Sequence, residues 1–275
     1  MARRLGVRLA EVVGLAWIWG GGGAAPLLRN ASTPPAAWAS PGGAGAVPGA
    51  PSVDELLARI DRNLTFETRT ATMSMTVTRN GRTKTYRMRS WSRGADEAAV
   101  EYLEPARDKG TKMLKKGPEL WTWMPAVERT QKIAGHMLRQ GMMGSDMSYE
   151  DMMQASGWRA LYQGTVTGQE TVDGRPCWKV ELVATRPDVT YARRIVLVDA
   201  ASGVPVRQEL YAVSGMLLKS WTMSDVVEIG GRAVPRRMVV EDRVQSGSRT
   251  ELTFSDLAFA VPLEAEIFNV RWLER

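Results

Sequence analysis

Thr72-Met73-Ser74-Met75-Thr76-Val77-Thr78 alternates polar and apolar side chains at every step, and Asn80-Gly81 follows almost at once. Period-two alternation puts Met73, Met75 and Val77 on one face of a strand. Asn-Gly after such a run predicts a two-residue hairpin, because both central positions of that turn need positive φ. Thr83 to Trp91 then returns as the partner strand. The same grammar continues outward. Ala98 to Leu103 reads as a strand stopped by Pro105, and Met113-Leu114 and Leu120 to Met124 flank a turn at Lys116-Gly117-Pro118. Arg129 to Ile133 offers a further strand.

The second half repeats the pattern with Gly164 to Thr171, Trp178 to Ala184, Arg193 to Val198 and Val206 to Tyr211, then Leu217 to Val227, Arg237 to Arg243 and Arg249 to Leu257. Asp173-Gly174, Ser202-Gly203 and a Gly-Gly pair mark the joints. About ten short strands with tight turns predict a mainly β protein built on one large antiparallel sheet. No strand alternates with a helix of about 10–15 residues, which argues against a parallel α/β sheet. A sheet of this size is expected to curl into a full or partial barrel. Ahead of it, Ser52-Val53-Asp54-Glu55 is a capping box, and Leu56, Leu57 and Ile60 give a short amphipathic stripe. One helix is predicted there, ending near Asn63.

The first forty residues read differently. Arg3, Arg4 and Arg8 precede an apolar stretch from Val12 through Leu28, and Ala37-Trp38-Ala39 fits a small-x-small cleavage site before Ser40. This is the pattern of a secretory signal over residues 1–39, cleaved near Ala39. Glu11 and the glycines Gly20 to Gly23 weaken it, so an unstructured tail or a misassigned start stays open as an alternative. Residues 40–51 are rich in Gly, Ala and Pro and read as a flexible linker. Of the formal charge of +6, Arg3, Arg4, Arg8 and Arg29 against Glu11 account for +3, leaving about +3 for the rest. That balance does not argue for nucleic acid. Cys177 is the one cysteine and His136 the one histidine, so neither an internal disulfide, a Cys-rich metal site nor a two-His zinc site can form.

Residues 135–158 interrupt the strands. The segment is punctuated by glycine and contains Met137, Met142, Met143, Met147, Met152 and Met153. Its length suggests a functional lid or binding loop. Methionine suits a surface that must repack around varied apolar ligands, although the same residues could fill an ordinary core beneath a long loop. Ser145, Asp146, Ser148, Tyr149, Glu150 and Asp151 crowd together as a catalytic motif would, yet Ser148 with Asp151 also caps a helix starting near Tyr149. Ser145, His136 and Asp146 could compose a nucleophilic triad, but no G-x-S-x-G elbow is present. Glu101 and Glu104 flank a strand end and read as solvated. Trp121 and Trp123 share one face of a strand, and Trp91 and Trp221 are further candidates for contact with a ligand.

The run Pro105, Asp108-Lys109-Gly110-Thr111, Leu114, Leu120-Trp121, Met124-Pro125, Arg129, Ile133 and Gly144-Ser145-Asp146-Met147-Ser148-Tyr149-Glu150-Asp151 resembles the outer-membrane lipoprotein-sorting protein family of the LolA/LolB-like superfamily. The resemblance follows strand order through most of residues 52–275 and is specific between about residues 100 and 155. It implies an incomplete antiparallel β-barrel whose concave face is covered by a helical lid. It further implies a hollow holding acyl chains of a lipoprotein or other lipid.

On this basis residues 52–275 are expected to form a lipid-binding domain of a periplasmic carrier, a monomer without enzymatic activity, cofactor or metal. The expected contacts are Met73, Met75, Trp91, Trp121, Trp123, Met142, Met143, Met147, Tyr149, Met152 and Met153. An inner-membrane exporter and an outer-membrane acceptor are the expected partners. An interaction or sensor module on the same scaffold, working with a membrane transporter or regulator, is the alternative. A carboxylate hydrolase using Glu150 and Asp151 is a third reading.

Overall fold

The computed structural model describes residues 47–275. The signal segment, its cleavage site and most of the linker lie outside the described residues. Helix α1 spans Val53–Leu64. Its capping box is complete: Glu55 N–H donates to Ser52 Oγ at 3.2 Å, and Ser52 N–H donates to Glu55 Oε2 at 2.8 Å. Two of the orphan donors at the helix start are thereby satisfied. Among the described residues no helix is long and apolar enough to cross a membrane.

Thirteen strands follow. The first six are β1 (Thr68–Arg79), β2 (Arg82–Arg93), β3 (Glu97–Glu104), β4 (Lys112–Lys116), β5 (Glu119–Met124) and β6 (Arg129–Ile133). The remaining seven are β7 (Tyr162–Val172), β8 (Arg175–Ala184), β9 (Arg193–Asp199), β10 (Pro205–Tyr211), β11 (Leu217–Ile229), β12 (Arg232–Asp242) and β13 (Ser248–Phe259). Asn80 and Gly81 have φ of 50° and 74°, and Asp173 and Gly174 have 48° and 75°. Both pairs therefore make the positive-φ turns their sequences demand.

All thirteen belong to one antiparallel sheet, in the order β6-β5-β4-β3-β2-β1-β13-β12-β11-β10-β9-β8-β7. Each half of the chain is a meander, and the halves join where β1 lies beside β13, with Met75 opposite Leu252. Two expectations are corrected here. The strands number thirteen rather than about ten, one for each segment that alternation and turns mark in the sequence. The sheet is also neither closed nor strongly curled. Its edges β6 and β7 do not pair with each other, and the backbone between them runs across the sheet face instead.

That crossing segment, residues 134–161, places Met142 and Met147 in the main core with Met75, Tyr86, Met88, Tyr102, Val240 and Leu252. The core thus sits between the segment and the middle of the sheet. Beyond it, α1 packs Leu56, Leu57 and Ile60 against Val180, Leu182 and Val196 near the β7 edge. The other face over β2–β5 is covered by the C-terminal 3-10 turns Ala265–Phe268 and Val270–Glu274, through Phe268 and Leu273.

Buried polar groups fasten the crossing segment. Thr250 Oγ1 donates to Asp146 Oδ2 at 2.7 Å, Asp146 N–H donates to Thr250 Oγ1 at 2.9 Å, and Ser248 Oγ donates to the other carboxylate oxygen. Tyr86 Oη donates to the Met143 carbonyl at 3.1 Å. Ser148 caps the short helix α2 (Tyr149–Met153) in a second capping box with Asp151. Asp151 also accepts from Tyr191 Oη at 2.6 Å and from Lys219 Nζ at 2.5 Å. Thr190 Oγ1 donates to Glu150. Gly141 is confined too, because a Cβ there would lie 2.3 Å from the Ser145 carbonyl oxygen.

Asp146→Ala is expected to destabilise the fold by about 2–3 kcal/mol, since it strands two buried hydroxyl donors. Urea denaturation would measure the loss, and amide exchange should show the segment's protection falling before that of the sheet. Elsewhere, Arg237 on β12 grips Glu251 on β13 through two bonds of 2.9 and 2.8 Å and holds its carboxyl below the usual range. A folded pKa below the unfolded value gives stabilisation that is complete above about pH 4.3 and lost as pH falls through the folded value. Glu251→Gln should therefore flatten the acid limb of a stability–pH curve, with little change in its slope above pH ~5.

Candidate functional site

A cavity of about 230 Å³ lies between the crossing segment and the sheet. Its floor is formed from both meanders: Met73 and Met88 from the first, and Trp221, Met238, Leu252 and Phe254 from the second. Its roof is Met142, Met147, Met152 and Trp158. The floor residues share a face because register aligns them. Met73 pairs with Met88 on one side and Phe254 on the other, and Met238 pairs with both Leu252 and Met223. The cavity therefore straddles the β1–β13 seam.

Of the residues singled out from sequence, Met73, Trp91, Met142, Met147 and Met152 reach this cavity, as does Trp221. Trp91 touches it while its ring stands edge-on to Trp272 at 5.6 Å. Met75 is fully buried in the adjoining core, where Met143, Tyr149 and Met153 also pack. Trp121 and Trp123 lie elsewhere. Trp121 is opposite Leu114, which is opposite Ala99, and that row faces the C-terminal turns. Alternation placed the two tryptophans together but could not say on which face. Sequence reasoning missed Met88, Met238, Leu252 and Phe254. Met88 was within reach, since the Asn80-Gly81 turn fixes it opposite Met73. The other three depend on the β1–β13 pairing, which has no local signal.

The polar lining is mixed. Asp151 is held by Tyr191, Lys219 and Ser148. Arg194 is 4% exposed and stacks its guanidinium 4.7 Å from the Tyr162 ring, 4.8 Å from Trp158 and 5.4 Å from Tyr191. Such contacts compensate in part for a buried cation. Burial raises the Tyr102 and Tyr149 hydroxyl pKa values, so both stay neutral. Burial also lowers that of the Lys115 ammonium, whose Nζ donates to the Ala95 carbonyl at 2.6 Å.

Ser145, Asp146 and His136 do not form a triad: Ser145 Oγ donates to the Met147 carbonyl, Asp146 is engaged by β13, and His136 is exposed. Glu104 is exposed beside Arg87. Among the described residues no cluster of three His, Cys, Asp or Glu is arranged to hold a metal. What the arrangement offers is a largely apolar hollow roofed by methionine and tryptophan side chains.

Comparison with known proteins agrees with this architecture. A DUF1329 family protein from Desulfovibrio piger superposes with a TM-score of 0.75 at 25% identity, covering 80% of this chain and 96% of its own. An outer membrane lipoprotein-sorting protein domain from Vibrio parahaemolyticus gives 0.72 at 26%, covering 81% and 96%. A LolA superfamily protein from Nitrosomonas europaea gives 0.68 at 25%, covering 81% and 100%. No curated protein matches the sequence. A family model described as uncharacterized-protein-like matches residues 94–275. The chain belongs to that family, and its structure matches those of the LolA superfamily and outer-membrane lipoprotein-sorting domain proteins.

Proposed function

We propose that the protein is a periplasmic, non-enzymatic carrier that shelters acyl chains of a lipoprotein or other lipid between the crossing segment and the sheet. The observation that carries this reading is the cavity itself: methionine above, methionine and aromatic residues below, roofed by a segment that spans the face. Acyl chains have no directional chemistry, so binding them requires apolar area and tolerance of shape. Burying each CH₂ is worth about 0.8 kcal/mol, hence on the order of 10 kcal/mol for sixteen carbons before ordering costs.

At about 230 Å³ the cavity is smaller than the roughly 300–1,000 Å³ of typical ligand pockets. Loading a full chain therefore requires the roof to rise and its methionines to repack. In this reading the crossing segment is the lid over the covered face of the open sheet, and residues 1–39 direct export. An inner-membrane exporter would be the donor and the outer membrane the acceptor. The exchange must be near balance, because very tight binding would trap the cargo.

Protein purified without detergent and extracted with organic solvent should yield lipid or acylated peptide in stoichiometric amount by mass spectrometry. A lipid-free protein that also fails to take up a fluorescent fatty acid would sink the carrier reading and favour an interaction module.

A further inference from the structure

The charges that line the cavity are Arg69, Lys115, Arg194, Glu97 and Asp151. Four of them have partners in the structure. Glu97 pairs with Arg93 at 2.6 Å and Lys116 at 3.9 Å. Asp151 pairs with Lys219, Lys115 is bonded to the Ala95 carbonyl, and Arg194 is stacked on three rings. Arg69 is the exception. Among the described residues nothing accepts a hydrogen bond from it, no carboxylate lies within ion-pair distance, and its Nε is buried without a partner. Arg69 is part-buried rather than fully buried, so the guanidinium keeps some contact with solvent while its Nε does not, and a counter-charge in the cavity would satisfy it.

Other unsatisfied atoms point the same way. Trp221 Nε1 and Arg194 Nε are also buried donors without partners in the cavity lining, against one unsatisfied acceptor there, Gln154 Oε1. The cavity thus has donors to spare and excess positive charge. Arg69 and Met73 lie on the same face of β1, about 13 Å apart along the strand. A ligand with an acid at one end and hydrocarbon at the other fits that spacing.

We infer that the cavity selects an anionic amphiphile whose acid group, carboxylate or phosphate, pairs with the Arg69 guanidinium while its chain lies over the methionine-lined floor. The inference rests on the carrier reading and narrows its cargo. A neutral ester or amide would give Arg69 an acceptor but no counter-charge. Burial depresses the Arg69 pKa, as expected of a cation lacking its counter-charge.

Isothermal titration of the full chain with lauric acid, dodecyl phosphate and 1-dodecanol tests this, with inorganic phosphate as the headgroup alone. At least one acid should bind about tenfold or more tighter than the alcohol, and the tighter acid identifies carboxylate or phosphate. Arg69→Met should weaken acid binding by about ten- to a hundredfold and leave dodecanol unchanged, while Arg69→Lys keeps much of the preference. Inorganic phosphate should not bind at these concentrations; if it binds as tightly as dodecyl phosphate, the site is a free-anion site and the amphiphile inference falls. Equal binding of acids and alcohol, unmoved by Arg69→Met, overturns the acid pairing and leaves the carrier reading standing. Failure of every ligand to bind overturns both. Should Arg69→Met fail to fold, the acid-to-alcohol ratio in the unaltered protein decides.

Discussion

Because β6 and β7 are consecutive in the chain yet form opposite edges of the sheet, the backbone between them must traverse a face of the sheet. Were the sheet flat, twelve inter-strand spacings of about 4.8 Å would separate those edges by on the order of 55–60 Å. Twenty-odd residues can span such a distance, but only as a segment with little regular structure of its own. Much else follows from this connection. It covers the apolar face, it supplies the roof of the cavity, and it needs fastening by Asp146, Asp151 and Tyr86 because so few of its backbone groups find partners in a ladder. The buried acidic cluster that looks catalytic in sequence is that fastening.

Local grammar was enough to find the elements. Alternation and the Asn-Gly and Asp-Gly turns locate the strands from Thr68 to Phe259, and Ser52 and Ser148 mark both α-helices through their capping boxes. Long-range partnership was not legible. Nothing in Met73 or Phe254 announces that they face each other across 181 positions of chain, and that pairing builds the cavity floor. Face assignment failed for a related reason. Trp121 and Trp123 obey the same alternation as Leu120 and Thr122, and only the arrival of the C-terminal turns decides which set is covered by what. Arg69 was invisible as a site residue, because an arginine at a strand start normally reaches solvent.

The two kinds of surface in the cavity answer different needs. Methionine and leucine give attraction that is broad and forgiving, which suits a cargo that must later be surrendered. In the proposed pairing the Arg69 guanidinium, unlike the ring-stacked Arg194, would add a preference that depends on one group. A carrier of the proposed kind would separate holding from choosing, with the first spread over many side chains and the second concentrated in one.

The seam between β1 and β13 has a consequence for how the protein comes into being. The first meander presents β1 as a bare edge from the moment it forms until the last strand is made, since its neighbour begins only at Ser248. A pairing so distant along the chain is slow to find and leaves hydrogen-bonding groups open to other chains in the interval. Nor can the crossing segment be locked early, because Asp146 waits for Ser248 and Thr250 on that same final strand. The closing residues of the sheet therefore complete the β1 edge and the Asp146 anchor in one step. A chain cut short before β13 keeps β1 as an exposed edge and a crossing segment without its Asp146 anchor, the two features that completion conceals.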